Sequence, residues 1–362
     1  MRTTHADLIT AQQSGAANPY IYLYINSTDY SSRLISLEHR EESYRDTAVI
    51  VFANSDRHFN ATANDLRGKF FSPGYGYTDA NSINRYLGDG ADVGYNPAMP
   101  RMWVKTQSMV SLEGELVCIL YCEGEWGKLR EITVASISPN LYISGLEPPY
   151  FNIPFTATQT VYQLIEKALN EAGFILTALG TQDDGIINAF SPIFTANPLT
   201  YESLASIIYR LIEMTKCYLR PVDSLSFKVI YPQEADAVNE TYYSDQKPYF
   251  REYTEKLNLL IPNHIVVFCN RELDGTWKPA NMFIGNSYDS DQFTGTTYTG
   301  SYTEVTEFHI APYIDNPTDA DNRAAAILQR YKNETLAGRL VLPFHDCRVE
   351  LYDKVSIYDG RG

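Results

Sequence analysis

A chain of 362 residues, at roughly 150 residues per domain, has room for two or three domains and a sizeable core. With 44% hydrophobic and 13% aromatic residues it is not a disordered chain; its longest apolar stretches, such as residues 116–121, fall far short of the ~20 that a membrane-spanning helix needs. The 29 Lys and Arg stand against 44 Asp and Glu, a formal net charge of −15, which excludes a broad phosphate-gripping surface and leaves no stable nucleic-acid binding to expect.

The first fifteen residues lack the apolar core of a signal peptide, so residues 1–19 are read as an N-terminal segment and no export is expected. Residues 20–147 are expected to form a first β-domain. YIYLYI at 20–25, TAVIVF at 47–52, GELVCILY at 114–121 and REITVASI at 130–137 are rich in β-branched and aromatic residues. Asn54-Ser55-Asp56 and Pro73-Gly74 punctuate them as turns, and residues 79–100, with no clear period, read as a long surface loop.

At Pro148-Pro149 the period changes, and residues 148–252 are expected to form a small α/β domain. Val161, Leu164, Ile165, Ala168, Leu169 and Ala172 make one apolar face of a helix that Gly173 closes. A second helix has Thr200 as its cap and Leu204, Ile207, Ile208, Leu211 and Ile212 as its stripe. The segment LSFKVIY then reads as a strand with Leu225, Phe227, Val229 and Tyr231 on one side.

Residues 253–362 read as a second β-domain with one helix. HIVVFC at 264–269 is its clearest strand, and residues 274–302 suggest a hairpin excursion. Thr318 with Asp321 resembles a capping box before a helix carrying Ala324, Leu328, Tyr331 and Thr335, which Gly338 ends. The closing RVELYDKVSIYDGRG reads as one strand, and its abrupt stop leads us to expect a natural chain that continues past Gly362 or is truncated there. A short echo, Asp65-Leu66-Arg67-Gly68-Lys69-Phe70 against Glu350-Leu351-Tyr352-Asp353-Lys354-Val355, would fit a duplicated β-barrel without establishing one.

The search for chemistry is mostly negative. No phosphate loop, H-E-x-x-H pair, G-x-S-x-G elbow or strand-borne G-x-G-x-x-G is present. Five cysteines, Cys118, Cys122, Cys217, Cys269 and Cys347, are odd in number and scattered, and read as reduced thiols. Cys118 and Cys122 would lie ~13 Å apart on one strand face, too far for a shared metal. His345 and Cys347 flank Asp346, so a lone metal or nucleophile site could be drawn there, but no third ligand or base accompanies them. Asp289-x-Asp291 opens like a calcium loop and then breaks the pattern at Phe293, Thr294 and Gly300, which leaves a solvated loop. Glu123 with Glu125, and Asp183 with Asp184, are the nearest to the paired carboxylates of a glycan hydrolase, but in a chain with 44 acidic residues near neighbours are expected and they are read as turns and solvated faces. Arg33, Arg40 and Arg45 are expected to pair with Glu38, Glu41, Glu42 and Asp46. Asn-x-Ser/Thr triplets at Asn26, Asn60, Asn239 and Asn333 have no secretory signal to give them meaning. No catalytic, cofactor-binding or metal residue is assigned.

The order of elements, together with SLEHREESYRDTAVIVFANSD, DLRGKFFSPGYGY, TVYQLIEKALNEAGF, TYESLASIIYRLIEMTKCYLRPVDSLSFKV, NHIVVF, DNRAAAILQRYKNETLAGRLVLP and ELYDKVSIYD, resembles the hub proteins of phage tails and baseplates, the group of late control gene D proteins and VgrG spike hubs. The resemblance runs over about residues 20–360 and lies in collinear order more than in any one motif. It implies an α+β, mainly β fold of two β-barrel-like domains with an inserted small α/β domain. It also implies a homotrimer whose β-domains form a pseudo-sixfold ring between the tail tube and the distal tip or spike proteins. Such a protein is a structural part of the virion tail, assembled in the host cytoplasm, with no cofactor and no catalytic residues to carry over. The other readings are a glycan-binding adsorption module that uses exposed Tyr and Trp as stacking platforms and, behind it, a cell-wall hydrolase.

Overall fold

A computed structural model describes residues 2, 4, 6–14, 18–60, 62, 64–88, 99–112, 114–133, 159–180, 183–192, 202–257, 261–269, 283–300, 303–311, 314 and 316–360. The fold is α+β and mainly β, 40% strand and 19% helix, with curled sheets that include a half-barrel.

The largest sheet has five strands in the order Leu34–Glu42, Arg45–Ala53, Glu115–Gly124, Met102–Leu112 and Phe70–Phe71, all antiparallel. Strict alternation along Arg45–Ala53 turns Asp46, Ala48, Ile50 and Phe52 inward. There Ile50 and Phe52 meet Cys118, Leu120, Cys122, Met102 and Val104, closed over by Leu23, Ile25, Phe59 and Phe71. Beside it Asn18–Tyr22, Gly74–Thr78 and Asn84–Tyr86 form a three-stranded antiparallel sheet. Its third strand lies inside the stretch that reads as a loop. Residues 84–86 have no alternation of their own, and pairing with Gly74–Thr78 forms the strand. Residues 89–98 lie outside the described set.

The N-terminal segment holds helix α1 (Ala6–Gln12), whose Leu8 and Ala11 pack on Tyr75, Tyr77, Leu87, Met99 and Cys347. A second helix not foreseen is α2 (Glu125–Glu131), which follows directly from the strand Glu115–Gly124 and buries Trp126 and Leu129. Residues 130–131, expected as the start of a strand, end this helix instead. Of the rest of that stretch, Thr133 forms an isolated bridge to Ser203, and residues 134–137 lie outside the described set.

Helix α3 (Val161–Glu171) sits where the spacing puts it. Thr160 and Gln163 form its capping box, and Gly173 takes φ +79° just past its end. Helix α4 (Leu204–Ile212) is capped by the Ser203 side chain accepting from the Ser206 N–H. Thr200, the expected cap, is outside the described residues. Both helices bury their stripes against Phe227 and Val229 of the strand Ser226–Ile230, which pairs with Tyr218–Asp223 and, in parallel, with Ile175–Leu176. The same continuous core takes in Ile265, Val267 and Cys269 from the C-terminal third.

In that third, His264–Cys269 is the centre of a three-stranded sheet, antiparallel to Ile284–Tyr288 and parallel to Thr306–Ala311. Helix α5 (Pro317–Thr335) lies on one face of it, so close that a side chain at Gly285 would collide with the carbonyl of Ala320. The α5 cap is Asn316, whose Oδ1 accepts from the Asp319 N–H at 2.9 Å. Pro317 takes the first helical position, which moves the start one residue ahead of Thr318. Gly338 does not end the helix: the strand Leu336–Val341 follows Thr335 at once and pairs Gly338 with Glu255 of Glu252–Leu257. The closing segment is a strand only at Val355–Tyr358, parallel to Glu240–Tyr243; Val349 lies in irregular backbone and Leu351 in a turn, and Tyr352 has φ +71°.

Candidate functional site

Two places on the molecule combine unusual chemistry with access. The first is a cleft of about 390 Å³ between the three-stranded N-terminal sheet and the C-terminal segment, lined among others by Arg2, Tyr20, His39, Tyr75 and His345. The buried Asp46 Oδ1 lies 2.6 Å from His39 Nε2, and His39 Nδ1 lies 2.7 Å from the Tyr75 hydroxyl. In the neutral ring Nε2–H donates to Asp46 and Nδ1 accepts from Tyr75; a second proton on the ring reverses the latter bond. Burial pulls the His39 pKa down, but the hydrogen bond and charge of Asp46 outweigh it and leave the value raised.

His345 stands against Tyr75 with ring centroids 4.6 Å apart, and its Nδ1 is 3.7 Å from Cys347 Sγ. The sequence could suggest a nucleophile here. Burial pushes the Cys347 thiol up to about 12 and also lowers His345, so neither a thiolate nor a charged imidazole is favoured. The structure thus brings together an Asp-His-Tyr chain and a His-Cys contact without an activated nucleophile. Among the described residues no group of three His, Cys, Asp or Glu side chains could hold a metal ion.

Ion pairs fasten distant parts of the chain here, and Arg2 and Glu41 among them line the cleft. Arg2 lies 3.5 Å from both Glu41 and Glu350. Arg220 reaches Glu350 at 3.2 Å and Asp353 at 3.3 Å, and donates to the Leu351 carbonyl at 2.8 Å. Arg348 pairs with Asp346 and with Glu240.

The remaining sequence candidates are dispersed. Cys118 and Cys122 are both buried, with thiols pushed up by burial to about 11 and about 12. Glu125 is buried at the start of α2, where burial, reinforced by Asp46 and Asp223, raises its carboxyl to about 9. Glu123 instead lies on the strand against Gly127. Asp183 Oδ1 accepts from the Gly185 N–H, and Asp184 accepts from Ile186, Ile187 and Lys216 N–H groups, tying two loops together. Asp289 is not in a solvated loop, because it is buried and pairs with Lys332 at 2.6 Å. Arg40 pairs with Glu38 as the spacing suggests, whereas Arg33 pairs with Asp56 of the turn after Arg45–Ala53, and Asp46 is taken by His39.

The second place is a sheet face. Ile265, Val267 and Cys269 turn toward α5, so the register puts Phe268 with Ile284 and Ile310, and Val266 with Asn286 and Phe308, on the other side. Phe308 is 65% exposed, Ile310 53% and Ile284 45%. The Phe308 ring is stacked at 5.9 Å on Phe268. This face and its next row, His264, Tyr288 and Thr306, hold no Asp, Glu, Lys or Arg, in a chain of net charge −15. Sequence reading missed it because HIVVFC gives no sign of which alternate residues stay uncovered.

No protein-family model matches the chain, and no curated protein matches it. Solved structures do. A tail protein from Neisseria meningitidis MC58 superposes with a TM-score of 0.59 at 9% identity, over 94% of this chain and 87% of that one. The 43 kDa tail protein of prophage MuSo2 from Shewanella oneidensis does so with a TM-score of 0.55 at 10% identity, over 94% and 88%. At such identities the likeness is one of fold, and over nearly its whole length this chain is folded like those two tail proteins.

Proposed function

We propose that this chain is a structural protein of a phage tail, a hub at the distal end that forms a ring joining the tail tube to the tip. The observation that carries this reading is the fold shared with two tail proteins over 94% of the chain. The uncharged apolar face of Phe268, Ile284, Phe308 and Ile310 supports it, since exposed apolar sheet faces of this kind mark protein contacts. Within this proposal residues 20–147 and 253–362 are the two ring-forming β-domains and 148–252 the insertion. Three copies close the ring, and the tail tube and the tip or spike proteins are the neighbours. The chain takes part in no reaction: the cleft's acid-base groups are spent on one another and on holding the C-terminal segment. Its place is the virion tail, assembled in the host cytoplasm. Electron micrographs of the purified chain test the reading. Rings with a central channel support it, and compact single particles at every concentration speak against a ring formed by this chain alone.

A further inference from the structure

The outer face of the three-stranded N-terminal sheet carries a second uncharged surface, of a different kind. Register places Asn18, Thr78 and Asn84 in one row, Tyr20, Gly76 and Tyr86 in the next, and Tyr22 beside Gly74 in the third. Two glycines run down the middle strand, and the tyrosines flank them on both sides. A side chain at Gly74 would crowd the Tyr22 Cβ and the Tyr86 ring at 3.0 Å, and one at Gly76 would strike the Arg85 carbonyl. The rings form a continuous series. Tyr20 is 5.7 Å from Tyr86, Tyr86 is stacked on Tyr22 at 4.6 Å and 19°, and Tyr22 is stacked on Tyr24 at 6.0 Å and 11°. The series ends in Tyr24, 46% exposed.

We infer that this tyrosine face is a binding platform for a neutral oligosaccharide. Sugar rings present an apolar C–H face and a rim of hydroxyls that both donate and accept. The platform offers the counterpart: the exposed ring of Tyr24 at the end of the stack, phenol hydroxyls, and an amide row in which Thr78 donates to Asn84 Oδ1 at 2.9 Å and leaves the Asn84 NH₂ as a donor. The rows hold no charged residue, and the Asp29 carboxylate opposite Tyr24 is engaged by the Ser31 N–H and hydroxyl. A phosphate-bearing ligand therefore finds no cation there, in a chain of net charge −15. Rows on one strand face repeat about every 7 Å, so successive rings suit an extended chain of sugars over a single small molecule. The inference is independent of ring assembly, which the Phe308 face serves.

The test presents the full chain to immobilised neutral oligosaccharides of the chito-, malto- and galacto-series, with a twelve-residue oligothymidylate as a competing stacking ligand, and titrates the best binder by calorimetry. At least one oligosaccharide is expected to bind saturably. Tyr24→Ala, at an exposed position, should keep the thermal unfolding of the parent and weaken binding about tenfold, Tyr22→Leu should weaken it further, and Phe308→Ala should leave it unchanged. Binding that survives Tyr24→Ala undiminished, oligothymidylate bound in preference to every sugar, or no sugar bound at all would overturn the assignment.

Discussion

Tyr77 and His345 exchange two hydrogen bonds across 268 residues of sequence: the phenol donates to the His345 carbonyl at 3.0 Å and accepts from the His345 N–H at 2.9 Å. One side chain thus satisfies both backbone groups of a residue in a segment without regular structure. The same segment is held by Arg220 and Arg2, so the last part of the chain completes the wall of the first sheet.

Tyr77→Phe removes that pair while keeping the ring. It leaves the N–H and C=O of His345, in a partly buried setting, without that partner, and should cost about 1 kcal/mol. Thermal or denaturant unfolding measures this, and a loss below a few tenths of a kcal/mol would mean that water takes over both bonds.

Glu125 makes stability fall with rising pH. Its carboxyl, raised to about 9 from an ordinary 4.5, keeps a proton in the folded chain that the unfolded chain gives up. Its contribution is therefore whole below pH 4.5 and declines as pH rises toward 9. Glu125→Gln should flatten that slope and stabilise the protein by about 2 kcal/mol at pH 8, seen in unfolding curves taken across pH 5 to 9.

Ile208 of α4 is fully buried among Leu164, Ile165 and Phe227 in the main core. Ile208→Asp places a carboxylate there with nothing to pair it and should cost about 4 kcal/mol or more. Unchanged unfolding of this variant would remove the packing of α3 and α4 on their sheet.

How much of this was legible beforehand follows from the range of the forces. Helices α3 and α4 announce themselves because Val161 to Leu169 and Leu204 to Ile212 each carry a whole apolar stripe within one element. Helix α2 does not, being seven residues with Gly127 as the third. Thr318 looked like a cap because local spacing cannot show that Pro317 starts the helix. The Asp46–His39–Tyr75 chain, the Arg220 ion pairs and the tyrosine face depend on register between segments far apart. Tyr20, Tyr22 and Tyr24 alternate visibly, but that Gly74, Gly76 and Tyr86 complete their surface is settled only by strand pairing.

The charge balance bears on DNA, the cargo such a hub would pass. Arg33 and Arg40 are paired with Asp56 and Glu38, so they make no basic patch for counterion release. Fluorescence anisotropy with a labelled duplex at physiological salt should show no binding. Tight binding with a steep negative salt slope would instead reveal a concentrated basic surface.

Ring assembly through the uncharged sheet face is the central claim, and mass in solution tests it most directly. Light scattering on the purified chain should give three times 41.0 kDa, as a closed cyclic assembly requires. Phe308→Asp, at a position 65% exposed in the single chain, should leave the fold intact and return the mass to one. A parent chain that stays at 41.0 kDa at all concentrations, or a trimer indifferent to Phe308→Asp, would contradict it.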